Sequence, residues 1–392
     1  MKRSVGVICE CNPFHGGHEY LLGRARESGA EVVVAVMSGC FVQRGEPAIA
    51  DPHLRAEALI AGGADLVLEL PFPYSASGAE FFAGAGVDIL DRLGVNELWF
   101  GSECGDIDQL ERLSRLVETP AFSEAYERTA AEGRGTAQAY FDTVQALLGK
   151  EVACFSNDIL GIAYLRAIRR LHSDMSSVTV KREGSAYLEE QLSADGFPSA
   201  TALRRRWREQ GLDAVLPLLP SSVKPIFARA AVPVELAYAE RLILGHFRLT
   251  PPEQLEQIAE LGGGLGARMA QAAQKADSLE RFFALSATKK YPNARLRRGV
   301  LFALTNITQS DLRTPPAYTR LLATNATGCV FLNASRKGAR ISVVTRHTDL
   351  PNTAAAQKQA EIEARAWALY TLCLPKAASA EGLWQKAPMI KR

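Results

Sequence analysis

The sequence predicts an α/β fold whose first half is built on a parallel β-sheet and whose second half is mainly helical. Up to about residue 215, short continuous runs of β-branched residues alternate with longer helix-like segments. Continuous apolar runs are typical of strands buried on both faces, and their alternation with helices indicates a parallel sheet. After Pro217, Pro220 and Pro225 the chain is mostly a succession of helix-like segments. We therefore expect an α/β domain over 1–215 and a mainly helical domain over 216–392.

The strands of the first half end at one predicted edge. We expect strands at 5–9, 31–37, 65–70, 96–101 and 177–182, and helices at about 18–28, 52–62 and 77–93 and from about 199 onwards. Loops with small and polar residues follow the strands, at 10–18, 38–47, 71–77 and 101–103. Because parallel strands all end at the same edge, where such sheets bind ligands, these loops predict the binding site.

The second half is predicted with less detail. Residues 233–308 are expected to form a chain of helices, and 354–373 one further helix. Cys329–Leu332 is strand-like by propensity, but its helical setting could override that, whereas Ile341–Val344 is a better strand. The tail 376–392 is expected to be loose.

Composition excludes several classes of protein. The 392 residues carry a net charge of +2, and 47% are hydrophobic, so the chain is an ordinary globular sequence without a global signal for nucleic acid. Seven scattered cysteines favour a reducing compartment, the N-terminus lacks the pattern of a signal peptide, and no segment has the roughly 20 apolar residues of a membrane span. We expect a cytoplasmic protein with no membrane partner.

The strongest motif is His15-x-Gly17-His18, which follows the first predicted strand and opens a helix. Backbone N–H groups and the helix dipole favour an anion there, and Gly17 allows close approach of a nucleotide phosphate. ATP chemistry at the α-phosphate requires mainly positioning and charge stabilisation, which two imidazoles can supply. The alternative is two residues that merely cap the helix.

A zinc site is the competing interpretation of the same segment. Cys9 and Cys11 are two residues apart, and His15 and His18 three apart, so a Cys₂His₂ set is arithmetically available. However, Cys9 belongs to the buried apolar run, where cysteine usually acts as a small hydrophobe. We therefore predict no metal site in the protein.

A second motif, Ser199-x-Thr201-x-x-Arg204, combines hydroxyl groups at a helix start with an arginine one turn later. Such a set suits a triphosphate, although a capped helix with solvated arginines would look the same.

Five segments together resemble one known family, the tRNA(Met) cytidine acetate ligases, a branch of the HIGH-motif nucleotidyltransferase superfamily. They are Glu10-x-Asn12-Pro13-Phe14-His15-x-Gly17-His18, Met37-Ser38-Gly39-x-Phe41-Val42-Gln43-Arg44-Gly45-Glu46-Pro47-Ala48, Leu68-Glu69-Leu70-Pro71, Phe100-Gly101-Ser102-Glu103 and Ser199-Ala200-Thr201-x-x-Arg204. The likeness is close over 5–104, patchy over 155–206, and thin after 215 except around Thr288–Tyr291. Cys11 stands where the family usually has Tyr, and Gly16 where it usually has Asn.

The resemblance implies a Rossmann-like nucleotidyltransferase catalytic domain over 1–215 and a tRNA-binding C-terminal domain over 216–392. It implies that acetate and ATP give acetyl-adenylate, with Mg²⁺ on the phosphates, and that the acetyl group passes to N4 of the wobble cytidine of elongator tRNA(Met). DNA is not an expected partner. His15 and His18 would be the catalytic residues. The implied ATP site comprises Ile8, Cys9, Glu10, Cys11, Asn12, Pro13, Phe14, His15, Gly16, Gly17, His18, Gly101, Asn157, Arg182, Ser199, Thr201 and Arg204.

Further candidates concern the substrate and the RNA. Gln43, Arg44 and Glu46 lie in the loop after the second strand and are expected to contact acetate or RNA rather than only solvent. Basic residues cluster at 204–208 and again at 289–298. Such residues can follow an RNA backbone, and an aromatic ring can stack on an unpaired base. In the second cluster the candidates are Lys289, Lys290, Tyr291, Arg295 and Arg298.

Three other functions stay open from the sequence alone. An adenylyltransferase acting on a small phosphorylated cofactor precursor would explain the histidine motif but not the long basic C-terminal part. A non-catalytic RNA-binding protein could have kept a nucleotide site. A class I aminoacyl-tRNA synthetase is disfavoured, because the chain has no Lys-Met-Ser-Lys-Ser-like loop.

Overall fold

The computed structural model of the protein describes residues 3–131, 136–149, 156–182, 198–230 and 232–391. Its strands are β1 (Ser4–Cys9), β2 (Val32–Ser38), β3 (Phe41–Val42), β4 (Glu46–Pro47), β5 (Leu66–Leu70), β6 (Glu97–Ser102), β7 (Ser176–Lys181), β8 (Tyr318–Asn325), β9 (Ser342–Val344) and β10 (Met389–Lys391).

The main sheet has the order β10-β8-β5-β2-β1-β6-β7, with β9 paired to β8. Strands β5, β2, β1, β6 and β7 are mutually parallel, and β8 runs antiparallel to β5. β1 is the middle strand of these five parallel strands, and its residues Ser4–Cys9 pair one to one with Val32–Met37 of β2. β3 and β4 form a separate hairpin in the loop after β2.

Helices surround the sheet and make up most of the C-terminal part. They are α1 (Gly16–Glu27), α2 (Pro52–Ala61), α3 (Ala79–Leu93), α4 (Ile107–Leu116), α5 (Pro120–Ala131), α6 (Thr136–Leu148), α7 (Ser156–Arg170), α8 (Ala200–Gln210), α9 (Lys224–Phe227), α10 (Glu240–Leu249), α11 (Pro252–Leu255), α12 (Leu265–Lys275), α13 (Leu279–Ser286), α14 (Asn293–Thr305), α15 (Gln309–Arg313), α16 (Ala326–Ser335) and α17 (Ala354–Leu372). In the described part of the chain, no helix is both long and apolar enough to cross a membrane.

The five strands and the helices predicted in the first half are confirmed with small shifts of their ends. The segment 329–332 is helical, within α16, so tertiary context overrides its strand propensity. The expectation of a loose tail is wrong, because β10 pairs in parallel with β8. The strand β8 was not predicted at all.

The C-terminal part completes the sheet, because β8, β9 and β10 all follow residue 215. The main sheet therefore extends beyond the predicted boundary at 215/216. The division into domains 1–215 and 216–392 stays a prediction. Helices α10, α12, α14 and α17 form a core that also contains Phe41 of the hairpin and Phe72 of the loop after β5. The helical part thus packs directly on two of the loops at the predicted binding edge.

Candidate active site

One buried side chain, that of Arg55, holds the loop between β1 and α1 in place. Arg55 of α2 has no solvent exposure, and its guanidinium donates to the carbonyl oxygens of Glu10 at 2.7 Å, Ser38 at 3.0 Å and Ala50 at 3.0 Å, and also to that of Gly39. These acceptors belong to the loops after β1 and β2 and to the segment before α2. Arg55 therefore fixes the relative positions of the loops at the binding edge.

His15 is the N-cap of α1, and its hydrogen bonds define which ring nitrogen carries the proton. Its Nδ1 accepts from the backbone N–H of Gly17 at 3.0 Å, while its own backbone N–H donates to Nδ1 of His18 at 3.3 Å. Because both Nδ1 atoms accept, the proton of each neutral imidazole lies on Nε2. The ring centroids are 4.1 Å apart, so the two Nε2–H donors belong to one compact pair.

Both imidazoles are neutral at physiological pH. Burial lowers the pKa of His15 well below its usual value, and the proximity of His18 and the positive charges of Arg182 and Arg204 lower it further. Burial and the charge of Arg182 lower the pKa of His18 to about 4. Neutral imidazoles donate hydrogen bonds without releasing a proton, as suits stabilisation of phosphate oxygens.

In the motif at the start of α8, Ser199 caps the helix and Arg204 contacts the loop that borders the cavity. The Ser199 hydroxyl caps the helix by accepting from the N–H of Ala202 at 3.2 Å. Arg204 is buried and donates from Nη1 to the carbonyl oxygen of Asn12 at 2.8 Å and from Nη2 to the Thr201 hydroxyl at 3.3 Å. Arg204 thus joins α8 to the loop that carries His15 and His18.

Opposite this motif, the start of α7 is bound to the loop after β6. The Glu103 carboxylate accepts from Nδ2 of Asn157 at 2.5 Å and from the backbone N–H groups of Asn157 and Asp158 at 3.0 Å. Asp158 in return accepts from the N–H groups of Glu103 and Cys104. This reciprocal arrangement holds Asn157 beside the strand end that carries Gly101.

A cavity of about 270 Å³ lies between these elements. Of the predicted ATP-site residues, fourteen line it: Ile8, Cys9, Glu10, Cys11, Asn12, His15, Gly17, His18, Gly101, Asn157, Arg182, Ser199, Thr201 and Arg204. Gln43 and Arg44 line it as well, whereas Pro13, Phe14 and Gly16 do not. Tyr20 and Leu21, within the segment 8–21 that the resemblance implies for the ATP site, also line the cavity, and sequence reasoning missed Phe82, Phe100, Ser156, Leu160, Tyr164, Val180, Lys181 and Ala200. A larger cavity of about 1120 Å³ is lined by residues of α3, α16 and β9 and by none of the predicted site residues.

The structure does not support the zinc alternative. Within the described residues, no group of three or more His, Cys, Asp or Glu side chains could hold a metal ion. Burial raises the pKa of Cys9 to about 12 and that of Cys11 well above its usual value, so both stay protonated. Cys11 is fully buried, and its thiol contacts the Arg55 carbonyl oxygen at 3.6 Å.

Glu46 does not line the cavity. Its carboxylate forms ion pairs with three arginines next to the cavity. Its carboxylate is 2.6 Å from Nη1 of Arg297, 3.6 Å from Nη2 of Arg208 and 3.9 Å from Nε of Arg204. Burial raises the pKa of Glu46, but these arginines outweigh burial and hold the pKa below its usual value. The arginines come from α8 and α14, so Glu46 connects the hairpin to both helices.

The hairpin turn also contacts α14 through its backbone. Gly45 has φ = +72°, and a Cβ atom there would lie 2.4 Å from the backbone nitrogen of Arg298. Only glycine permits both this conformation and this distance. The hairpin next to the cavity is thus seated on the first turns of α14.

The basic cluster at 289–298 is only partly available to RNA. Lys289 and Lys290 are exposed, but Arg298 donates to the Glu260 carboxylate at 2.8 Å, and Arg295 donates to the Glu260 carbonyl oxygen at 3.0 Å. Tyr291 is buried, and its hydroxyl donates to the carbonyl oxygen of Gly263 at 2.8 Å. The expectation that Tyr291 stacks on a base is therefore wrong, because its ring belongs to the core.

Replacing Gly17 by alanine is expected to abolish function at this site while the protein stays folded. The added Cβ would lie 2.9 Å from Cε1 of His15, so the ring would have to leave its position. The measurement is nucleotide binding and turnover, with Gly23→Ala as the matched control, because a Cβ at Gly23 in the same helix meets nothing within 4 Å. Equal activity of the two variants would contradict the role of Gly17.

Comparisons with known proteins match nearly the whole chain. A family model described as HIGH Nucleotidyl Transferase matches residues 1–383. The tRNA(Met) cytidine acetate ligase of Listeria monocytogenes serovar 1/2a is 35% identical over 378 residues, which cover 94% of this chain and 95% of that protein. The ligase of Syntrophotalea carbinolica is 34% identical over 401 residues, covering 95% and 94%.

Two crystal structures of Thermotoga maritima TmcAL share the fold over the whole chain. The apo form superposes with a TM-score of 0.91 at 29% sequence identity and covers 100% of this chain and 99% of that chain. The form bound to alpha-thio ATP gives a TM-score of 0.88 at the same identity and coverage.

Proposed function

The chain belongs to the tRNA(Met) cytidine acetate ligase family of HIGH nucleotidyltransferases, and from this premise we propose how its residues carry out the reaction. The protein is an ATP-dependent ligase that modifies tRNA. We propose that acetate is the acid it activates, that the cavity between β1, α1, α7 and α8 is the adenylation site, and that His15 and His18 are its catalytic residues. The observation that carries this proposal is the pair of neutral imidazoles whose Nδ1 atoms are both occupied.

In the first step an acetate oxygen attacks the α-phosphorus of ATP. The new O–P bond forms as the bond between the α-phosphorus and the bridging oxygen breaks, and pyrophosphate leaves with the bonding electrons. Negative charge increases on the phosphate oxygens in the transition state. The Nε2–H groups of His15 and His18 would donate to these oxygens, and the neutral rings would lose no proton in doing so.

The triphosphate is proposed to extend towards α8. Arg204 is held by the Asn12 carbonyl oxygen, and Arg182 follows β7 and lines the same cavity. The N-terminus of α8 adds backbone N–H groups, which favour anions. Glu10 lines the cavity but has no cluster of carboxylates around it among the described residues, so Mg²⁺ would take most of its ligands from phosphate and water and would neutralise charge on the leaving pyrophosphate.

In the second step N4 of the wobble cytidine attacks the acetyl carbonyl carbon, AMP leaves with the electrons of the C–O bond, and N4 releases one of its two protons to solvent. An anticodon loop presents this base unpaired, so no duplex has to open. We propose that Lys289 and Lys290, which are exposed, contact the tRNA backbone, and that the ligase works in the cytoplasm together with its tRNA.

Exchange of labelled pyrophosphate into ATP tests the proposal directly. Exchange is expected with acetate alone, because adenylation precedes transfer, and labelled acetate is expected to enter elongator tRNA(Met) when that tRNA is added. Exchange that requires a phosphorylated cofactor precursor instead of acetate would support an adenylyltransferase. Binding of tRNA without any exchange would support an RNA-binding protein.

Neutralising Lys289 and Lys290 together to glutamine is expected to weaken tRNA binding and leave exchange with acetate unchanged. Loss of two phosphate contacts should reduce the slope of log affinity against log salt concentration by about 1.4–1.8. Filter binding over a range of salt concentrations measures this slope, and Lys337→Gln with Lys376→Gln is the control pair of exposed lysines. An unchanged slope in the first pair would exclude these lysines from the RNA surface.

A further inference from the structure

One buried hydroxyl group in the cavity wall has no partner. Tyr164 of α7 is 2% exposed and lines the cavity, and its hydroxyl makes no hydrogen bond with any residue that the structure describes. A buried hydroxyl without a partner is costly, and such groups are uncommon unless a ligand or water satisfies them. Cys9 and Glu10, at the end of β1, line the same cavity as Tyr164.

Apolar side chains form much of the cavity wall around Tyr164. Phe100 lies beside Tyr164 with ring centroids 5.5 Å apart, and Ile8, Phe82 and Leu160 line the same cavity. Ile8 and Phe100 lie on the neighbouring strands β1 and β6, while Phe82 and Leu160 lie on α3 and α7. On this side of the cavity the apolar wall comes from β1, β6, α3 and α7, and the Tyr164 hydroxyl is a neutral donor without a partner among the described residues.

Two glycines fix the dimensions of this apolar side. A Cβ at Gly86 of α3 would lie 2.7 Å from Cδ1 of Ile8, and a Cβ at Gly161 of α7 would lie 2.6 Å from Cε2 of Phe100. Both helices thus approach the sheet as closely as a bare backbone allows. Because packed side chains have little room to move, the space beside Tyr164 has a set size.

We propose that Tyr164, Phe82 and Phe100 form the acetate subsite of the ligase, in which the Tyr164 hydroxyl donates to one carboxylate oxygen and the aromatic rings enclose the methyl group. This proposal rests on the proposed function. A small carboxylate has one polar and one apolar end, which is the pattern of this side of the cavity. Adenine presents several donors and acceptors along its edge, so one hydroxyl among apolar groups matches it poorly.

A neutral donor is also the appropriate partner for a nucleophile. Burial raises the pKa of Tyr164 well above its usual value, so the group remains a phenol throughout the working pH range. A single hydrogen bond orients the carboxylate but neutralises it less than a salt bridge would. The second oxygen keeps its charge for attack on the α-phosphorus.

The first test is Tyr164→Phe, which removes the hydroxyl and keeps the ring. The KM for acetate in pyrophosphate exchange is expected to rise about 10- to 100-fold, as for loss of a hydrogen bond to a charged group, with the KM for ATP unchanged. Tyr126→Phe is the control, because Tyr126 packs against the same core cluster but does not line the cavity. An increase in the KM for ATP alone would overturn the proposal and place the hydroxyl on the nucleotide.

The second test changes the size of the subsite. Phe82→Leu replaces the ring by a smaller apolar side chain, and it is expected to raise kcat/KM for propionate relative to acetate about tenfold, since one methylene in an apolar pocket has an effect of that order. An unchanged ratio would overturn the subsite. If the unmodified enzyme showed no exchange with acetate or propionate at all, the proposed function itself would fail, a result distinct from either outcome above.

Discussion

Replacing His18 by alanine is expected to lower the rate of acetyl-adenylate formation by about 10²–10³-fold, which is typical for the loss of one preorganised donor to developing charge. The same is expected for His15→Ala, with an additional loss of order at the start of α1, because the His15 ring caps that helix. Single-turnover formation of acetyl-adenylate at saturating ATP measures the effect on chemistry. Binding of tRNA should be unchanged in both variants.

The position of the proton makes this prediction more specific. Because Nδ1 of His18 accepts and Nε2 carries the proton, His18→Gln, whose amide reaches the position of Nε2, should retain more activity than His18→Asn. His53→Ala is the control, since His53 does not line the cavity. Equal losses in the glutamine and asparagine variants would argue against donation from Nε2.

The lowered pKa values of His15 and His18 also predict how the free energy of unfolding changes with pH. The folded pKa of His18 is about 4 and that of His15 is also depressed, so the unfolded chain binds more protons than the folded one below pH 6.5. The contribution of these two histidines to the free energy of unfolding is fully present above pH 6.5 and is lost as pH falls towards 4. Substitution of His18 should therefore flatten the decline of unfolding free energy over this range, where each pKa unit corresponds to about 1.4 kcal/mol.

The binding edge was predictable because its signals are local. Strands β1 and β2 are nearly continuous apolar runs, and the motif at 10–18 directly follows β1. Since parallel strands share one edge, the order of elements brings the segment at 199–204 to the same cavity as His15 and His18. Local signals therefore indicated the two motifs that line the cavity, whereas Asn157 and Arg182 were candidates only through the family resemblance.

The features that the sequence did not predict depend on contacts between distant parts of the chain. The strand β8 pairs with β5, about 250 residues earlier, and its sequence alone does not specify that partner. Tyr291 is buried because its ring packs in the core of the helical part, where its hydroxyl bonds a carbonyl oxygen 28 residues earlier, whereas its basic neighbours suggested exposure. Tyr164 gives no signal either, because an aromatic residue on an amphipathic helix usually belongs to the core.

Replacing Arg55 by methionine is expected to lower the free energy of unfolding by about 3–5 kcal/mol and to abolish adenylation. A buried ion pair can often be replaced by apolar residues at little cost, but here the partners are four backbone carbonyl groups, which no substitution removes. Methionine would fill the space and leave these acceptors unsatisfied, so the loops after β1 and β2 would separate. Urea denaturation measures the loss, with Arg24→Met, which removes an exposed ion pair to Glu27, as the control expected to change stability by less than about 1 kcal/mol. Similar unfolding free energies for the two variants would mean that the Arg55 hydrogen bonds do not hold the binding edge together.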